Sequence, residues 1–270
     1  MKLSTHLADA ALKALLYEVD VQPKPGLVDP VDHSTHLDMD VFTFIDSAVS
    51  LRPYLEQFAQ AGVDFEGEDL TKLFASIRKI GVKAEKAMFE ATGEINTHKG
   101  AIFSLGILLA ATGYDQDNTR VITERMLRGL TENDFKDLDK KKNLTNGEKM
   151  FLQYGVTGIR GEAERGYPIV FEKSLPFLKA HFGNDFNNVL LDTLMVIVSE
   201  SYDSNVVKRG NLESLKNVQK YAQDILEAGG CSNPDGREIL DDMNSYCNEN
   251  NLSLGGSADL LIITVFLFLI

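Results

Sequence analysis

The run from Ala101 to Ala111 would carry apolar side chains all the way round a helix. Such a helix persists in water only when other helices surround it. One-faced stripes of the kind needed to do so recur along the chain. Leu3, Leu7, Ala11, Leu15 and Val19 step by four. Val41, Phe44, Ile45, Ala48, Leu51, Leu55 and Phe58 form a second stripe, and Leu70, Leu73, Phe74, Ile77, Ile80, Ala84 and Ala87 a third. Helical spacing then returns at Val121–Met126, at Phe186–Val198, at Leu212–Leu226 and at Ile239–Cys247, each with its apolar residues on one face. Pro53 is expected to kink or split the second helix. Thr145 with Glu148 reads as a capping box, Asn233-Pro234 as a cap and first turn, and Gly229-Gly230 as a stop. Alternating strand patterns with hairpin turns are nearly absent, no linker divides the chain, and no repeat of 20–50 residues is visible. The expectation is an all-α fold: one domain over residues 1–270, of roughly ten or more helices around a buried central helix.

The chain has 270 residues, enough to bury a sizeable core. Its 27 Lys and Arg stand against 40 Asp and Glu, a net charge of −13. That balance argues against nucleic acid or an anionic membrane as partner. A polyanion would need a local basic pocket, a metal ion, or both. Cys231 and Cys247 lie sixteen apart without a CxxC, which points to neither a zinc site nor a disulfide framework and makes a reducing cytoplasm the default. The first twenty residues lack a signal peptide's continuous apolar core. The apolar stretch Leu260–Ile270 is too short to span a bilayer and reads as a buried helix.

Polar and glycine-rich residues gather in five junctions between helices. The first, KPGLVD with PVDHSTHLDMD from Lys24 to Asp40, holds Asp29, Asp32, His33, His36, Asp38 and Asp40. One or two of these carboxylates suffice for Mg²⁺, whereas His ligands favour zinc or iron. Equally, Asp38 or Asp40 caps the next helix, and the histidines are solvated. The second, NTHKGAIFSLG from Asn96, opens the apolar helix with Asn96 or Thr97 as its cap and His98, Lys99 and Gly100 in its first turn. Free N–H groups, the positive dipole end and Lys99 make an anion site there, unless Lys99 is merely solvated.

The third junction, GVTGIRGEAERGYP, combines Gly155, Gly158, Gly161 and Gly166 with Arg160 and Arg165, which fork onto phosphate oxygens, and with Glu162 and Glu164. It is neither a P-loop nor a dinucleotide fingerprint. The fourth, SYDSNVVKRGN, offers Asp203, Asn205, Lys208 and Arg209. The fifth, LSLGGSADLL, opens the last helix with Gly255, Gly256 and Ser257, a second anion-binding nest, with Asp259 just behind. Ser257 and Asp259 also suit plain capping and dipole roles. Asp192 lies inside an amphipathic helix and is either paired or turned to solvent. Read by themselves, the junctions describe a helical, metal-assisted, nucleotide-handling enzyme.

KPGLVD with HLDMD, NTHKGAIFSLG, GVTGIRGEAERGYP, SNVVKRG and GGSADLL, in this order, resemble the triphosphoribosyl-dephospho-CoA synthase family of the CitG/MdcB type. The resemblance runs from about Tyr17 to Leu261. It departs at Leu254, where proline is expected, at Ser204 for threonine, and at Asn211 for a second glycine. It implies that C1′ of the ATP ribose is joined to the ribose 2′-hydroxyl of 3′-dephospho-CoA, with release of adenine and an intact triphosphate. The product would be the prosthetic-group precursor of the citrate lyase or malonate decarboxylase acyl carrier protein, which a separate transferase attaches.

Loss of adenine builds oxocarbenium character that a carboxylate stabilises, while a base takes the 2′-hydroxyl proton and an acid serves the purine. On this reading Lys99, Arg160, Arg165, Arg209 and Mg²⁺ hold the triphosphate. Lys24, Gly100, Gly161, Asn205, Gly255, Gly256 and Ser257 complete the substrate-binding set. Asp29, Asp38 and Asp40 serve metal or oxocarbenium, and Glu162 and His98, with Asp40, are the catalytic candidates. A helical metal-dependent phosphohydrolase would instead release phosphate, and a nucleotide-binding scaffold would release nothing.

Overall fold

Two helices are buried on nearly every side, and the others wrap them. The computed structural model describes residues 2–183 and 185–270. Helix α1 (Leu3–Asp20) is followed by α2 (Val41–Val63), α3 (Leu70–Ala91) and α4 (Lys99–Tyr114), the apolar run of the sequence. Short helices α5 (Thr119–Met126), α6 (Leu130–Asp134), α7 (Asn146–Tyr154) and α8 (Gly158–Glu164) come next. A π-helical turn at Val170–Ser174 leads into α9 (Leu175–His181). The chain closes with α10 (Phe186–Glu200), α11 (Ser204–Arg209), α12 (Leu212–Glu227), α13 (Pro234–Glu249) and α14 (Gly255–Leu269). No strand occurs among the described residues, so the all-α expectation holds.

Helices α4 and α14 pack on each other at the centre. Helices α1, α2, α3 and α5 cover α4, while α1, α9 and α10 cover α14; α12 and α13 build an outer layer on α10. The stripe on α1 behaves as its spacing predicts: Leu7, Ala11, Leu15 and Val19 are buried, and Leu3 frays into solvent. The caps read at Asp40, Thr145 and Asn233 form, and four more appear. Asp40, Asp69, Thr145, Asp185, Asp203, Asn211 and Asn233 each accept a first-turn N–H. No helix among the described residues is long and apolar enough to cross a membrane.

The expected break at Pro53 does not occur. Helix α2 runs unbroken through it. Pro53 lies on the exposed face, and so does Val49, whose carbonyl loses its helical partner; on a face open to solvent that loss is cheap enough for the helix to survive.

Helices α2 and α4 approach backbone to backbone because glycines face each other across the crossing. A methyl group at Gly62 would overlap the Ala110 carbonyl, and one at Gly113 the Ala59 carbonyl. A methyl at Gly106 would sit 2.9 Å from the Phe58 ring. This crossing fixes where the N-terminus of α4 ends up. Gly62→Ala or Gly113→Ala should therefore destabilise the protein by about 2–3 kcal/mol, the scale of core overpacking, in denaturant titrations. Gly81→Ala is the contrast: it lies mid-helix in α3, where the new methyl meets only Phe58 at 4.0 Å. It should be neutral or stabilise by about 0.5–1 kcal/mol.

Candidate active site

All five junctions meet at one face of the helix pack, around two adjoining cavities. The first encloses about 440 Å³ between the 21–40 loop and the N-terminal ends of α4, α11 and α14. The second, about 310 Å³, lies between α8, the turn after it and α11. Ile159, Ser204 and Gly256 belong to both walls.

In the first junction the carboxylates divide their work. Asp29 is buried and folds its own loop, accepting the N–H groups of Lys24 (2.9 Å), Val31 (2.8 Å) and Asp32 (2.9 Å). Asp40 is exposed, caps α2 with Thr43, and is held below the usual carboxylate range by those hydrogen bonds. Neither lines a cavity; Asp38 does. Lys24 is 2 % exposed, its Nζ lying 2.6 Å from Glu18 Oε1 and donating also to the Glu18 carbonyl. Arg209 Nη1 donates to Thr35 Oγ1 (2.9 Å) and Nη2 to His36 Nδ1 (3.3 Å), pinning the loop over the cavity mouth. His36 then bonds Ser253 through Nε2 (3.1 Å), and burial with the Arg209 charge keeps its pKa low.

At the second junction the N-cap is His98 rather than Asn96 or Thr97, and Asn96 Oδ1 accepts the Lys99 N–H. The Thr97 hydroxyl donates to Ser47 Oγ (2.7 Å), which leaves the Ser47 proton for His98 Nδ1 (2.7 Å). That chain puts the ring proton on Nε2, which has no hydrogen-bond partner among the described residues. Burial, with the Lys24 charge, lowers the His98 pKa to about 3, so the imidazole is neutral. It suits a hydrogen-bond donor better than a base. Lys99 lines the cavity while its Nζ rests 2.7 Å from Glu85.

The third junction is split between cavities. Glu162 and Arg165 line the second one, linked at 3.1 Å, and Glu162 also accepts the Ile169 N–H at 2.9 Å. Gly161 is needed because a side chain there would overlap Thr157. Arg160 turns away. It pairs with Asp134 at 2.9 Å over the Phe135 ring and lines a separate hollow between α3 and α4.

The fourth and fifth junctions are tied together by Asp203. Its buried carboxylate accepts the N–H of Asn205 (2.9 Å) and both the N–H (2.8 Å) and hydroxyl (3.0 Å) of Ser257. Ser257 is thereby fully buried beneath the cavity. A Cβ on Gly256 would come within 2.9 Å of Asp203, and one on Gly255 within 3.0 Å of the Asn205 amide, so both glycines let the two helix starts meet. Asp192, inside α10, is paired: it accepts the Cys231 N–H at 2.7 Å.

Glu18, Asn96 and Ser253 join the site without being singled out for it by the motifs, and Asp203, Lys208 and Asp259, named in the junctions without an assigned role, join it too. Two left a readable trace. Glu18 sits three residues after Leu15, beside the apolar stripe of α1, and Asp259 is the one acidic residue of an otherwise apolar helix. Buried charges in such places require partners or a purpose. Asp259 packs against the first turn of α4, where any side chain on Gly100 would overlap its carboxylate. Burial, then the charges of Asp203 and Glu18, push its pKa well above the ordinary 3.8.

A carboxyl whose pKa is raised by folding favours the folded state below its unfolded pKa, and that advantage is lost as pH rises through the folded value. The contribution of Asp259 to stability should accordingly decline as pH climbs from about 4, the unfolded carboxyl value. Asp259→Asn should remove that part of the decline and raise the melting temperature at neutral pH. Melting curves over pH 4–8 check this, with Asp40→Asn losing stability as the opposite-sign control.

Metal geometry is sparse. No three His, Cys, Asp or Glu side chains among the described residues come together as a cation cage.

The chain matches the family described as "CitG: ATP:dephospho-CoA triphosphoribosyl transferase" over residues 4–270. A probable 2-(5''-triphosphoribosyl)-3'-dephosphocoenzyme-A synthase of Lactiplantibacillus plantarum is 49% identical, over 97% of this chain and 95% of that protein. A protein of the same description from Citrobacter koseri is 40% identical, over 95% of this chain and 88% of its own length. Protein CitXG of Leuconostoc mesenteroides is 43% identical over 97% of this chain, which spans 58% of that longer protein. No solved structure matches. With its five junctions gathered around one pair of cavities and this likeness over nearly its whole length, the chain belongs to the ATP:dephospho-CoA triphosphoribosyl transferase family.

Proposed function

We propose that the two adjoining cavities seat the two substrates of triphosphoribosyl transfer, ATP in the first and 3′-dephospho-CoA in the second. One observation carries the reading: cationic side chains and two helix N-termini line the same cavity as the carboxylates of Glu18, Asp38 and Asp259. At the N-terminal ends of α4 and α14 the Gly100, Gly255 and Gly256 backbone lines this cavity and offers its N–H groups to an anion. Lys99, Lys208 and Arg209 stand beside them on the first cavity. Lys99 and Arg209 are held by Glu85 and by Thr35 with His36, contacts that the triphosphate would replace. The ribose then lies over the carboxylates, where negative charge favours an oxocarbenium-like sugar.

The second cavity, with Val156, Ile159, Pro168 and Ile169 among its walls and Arg165 at its side, suits a ligand that is partly apolar and partly phosphorylated. The shared wall at Ser204 and Gly256 is where the attacking 2′-hydroxyl meets C1′. Glu162 and Arg165 shape that second seat. Lys24, Asp29, Asp40, Gly161 and Ser257 act through the backbone and ion pairs they hold, and Arg160 serves the α6–α8 contact.

Mg²⁺ is proposed to arrive on the triphosphate. Such a cation keeps waters and asks one or two carboxylates of the protein, a demand that Asp38 fits and a protein-built cage does not. The ion would neutralise phosphate charge. The product is proposed as prosthetic-group precursor for the acyl carrier protein of citrate lyase or malonate decarboxylase, made in the cytoplasm.

Incubation with ATP, Mg²⁺ and 3′-dephospho-CoA should release one adenine per product and no phosphate. Phosphate or diphosphate release would refute the reading in favour of a phosphohydrolase, and binding without turnover in favour of a scaffold. In binding titrations Lys208→Ala and Arg209→Ala should each weaken ATP about tenfold, the scale of one charge-assisted hydrogen bond. Arg160→Ala should leave ATP affinity within about twofold while lowering stability by about 1 kcal/mol or more, as expected for a partly buried pair.

A further inference from the structure

Two carboxylates without a motif-assigned reactive role come together on the wall of the first cavity. Glu18 enters from the last turn of α1 and Asp259 from α14, and the packing of these two helices places both on the cavity wall. We infer that Glu18 and Asp259 are the proton-handling pair of the transfer, Asp259 donating to the departing purine and Glu18 receiving the proton of the attacking 2′-hydroxyl. The inference rests on the triphosphoribosyl-transfer reading above.

The two carboxylates live in opposite surroundings. Glu18 has a cation of its own, Lys24 Nζ at 2.6 Å from Oε1, both side chains nearly free of solvent. That ion pair fixes the Glu18 carboxyl group on the cavity wall, in place to receive a proton. Asp259 instead faces two carboxylates, Asp203 and Glu18, with the Ala101 N–H as its hydrogen-bonding group. Burial and those like charges favour the protonated form, the form an acid needs, and their effect on Asp259 is a strong upward shift.

The other titratable neighbours do not compete. His98, beside Lys24, is neutral, and burial raises the Tyr167 hydroxyl so that it stays protonated. Asp203 is raised by burial too, but its oxygens are engaged by Ser257 and Asn205.

The step balances without a further reactant. The C1′–N9 bond breaks, its electron pair leaves with the purine, and the purine takes the Asp259 proton. The 2′-hydroxyl oxygen forms the new C1′–O bond and passes its proton to Glu18. Return of that proton from Glu18 to Asp259 resets the pair, and no phosphate bond changes.

The test compares ATP with N7-methylated ATP, whose cationic base departs without being protonated. Asp259→Asn should lower kcat with ATP by about 100-fold or more, the usual scale of general acid catalysis, and recover to within about tenfold of wild type with the methylated nucleotide. The fall in wild-type rate at high pH should disappear in this variant. Asp259→Ala gives the same contrast should the amide not be accommodated.

Glu18→Gln combined with Lys24→Met, which removes both buried charges together, should fold and remain about 100-fold slow with either nucleotide. Equal slowing of both nucleotides by Asp259→Asn, or near-wild-type turnover in the double variant, would overturn the pair. Absence of adenine release in the wild type would overturn the transfer reading itself, before any variant is made.

Discussion

Carboxylates removed from water must be compensated by fixed dipoles or cations, and this constraint organises the centre of the molecule. Asp203 is compensated by the first N–H groups of α11 and α14, and in accepting them it joins the two helix starts. Glu18 is compensated by Lys24, which draws the loop after α1 back onto that helix. Asp29 then closes the same loop from within. Asp259 has the least compensation, one N–H against two negative neighbours. Strain of this kind is what a reactive group retains, since an acid fully satisfied by its surroundings has no reason to give its proton away.

The glycines follow from the same demand. Gly62, Gly106 and Gly113 let α2 and α4 touch along their length, and Gly100 and Gly256 let side-chain carboxylates reach helix backbone directly. Close backbone approach delivers N–H groups to the cavity without intervening side chains, so the site is built from helix ends rather than from a loop wrapped around its ligand. Arg209 supplies the complementary restraint at the mouth, through Thr35 and His36.

What the sequence made legible was whatever repeats locally. The stripe of α1, the all-apolar α4 and the caps at Asp40, Thr145 and Asn233 depend on neighbours within a turn or two, and each formed as spacing suggests. Pro53 departed from its propensity because its face of α2 is wet. Site membership depended on long-range placement instead. Arg160 lies two residues from Glu162, yet its partner Asp134 comes from α6 and turns it to another surface. Asp29 and Asp40 had the composition of ligands and the geometry of local capping groups. Glu18 and Asp259 carried a signal of another kind, a charge set against an apolar stripe, visible only when polarity is weighed against the helix around it.

Asp259, kept protonated by its surroundings, is the group that serves the leaving base on this reading of the cavity. Carboxyl carbon resonances of Asp259 and Asp40, followed by ¹³C NMR in the intact protein as pH is raised, address it most directly. Asp259 should retain its proton to a pH well above the point at which Asp40 has ionised, consistent with their opposite shifts. Titration of both carboxyls together, in the ordinary aspartate range, would contradict it.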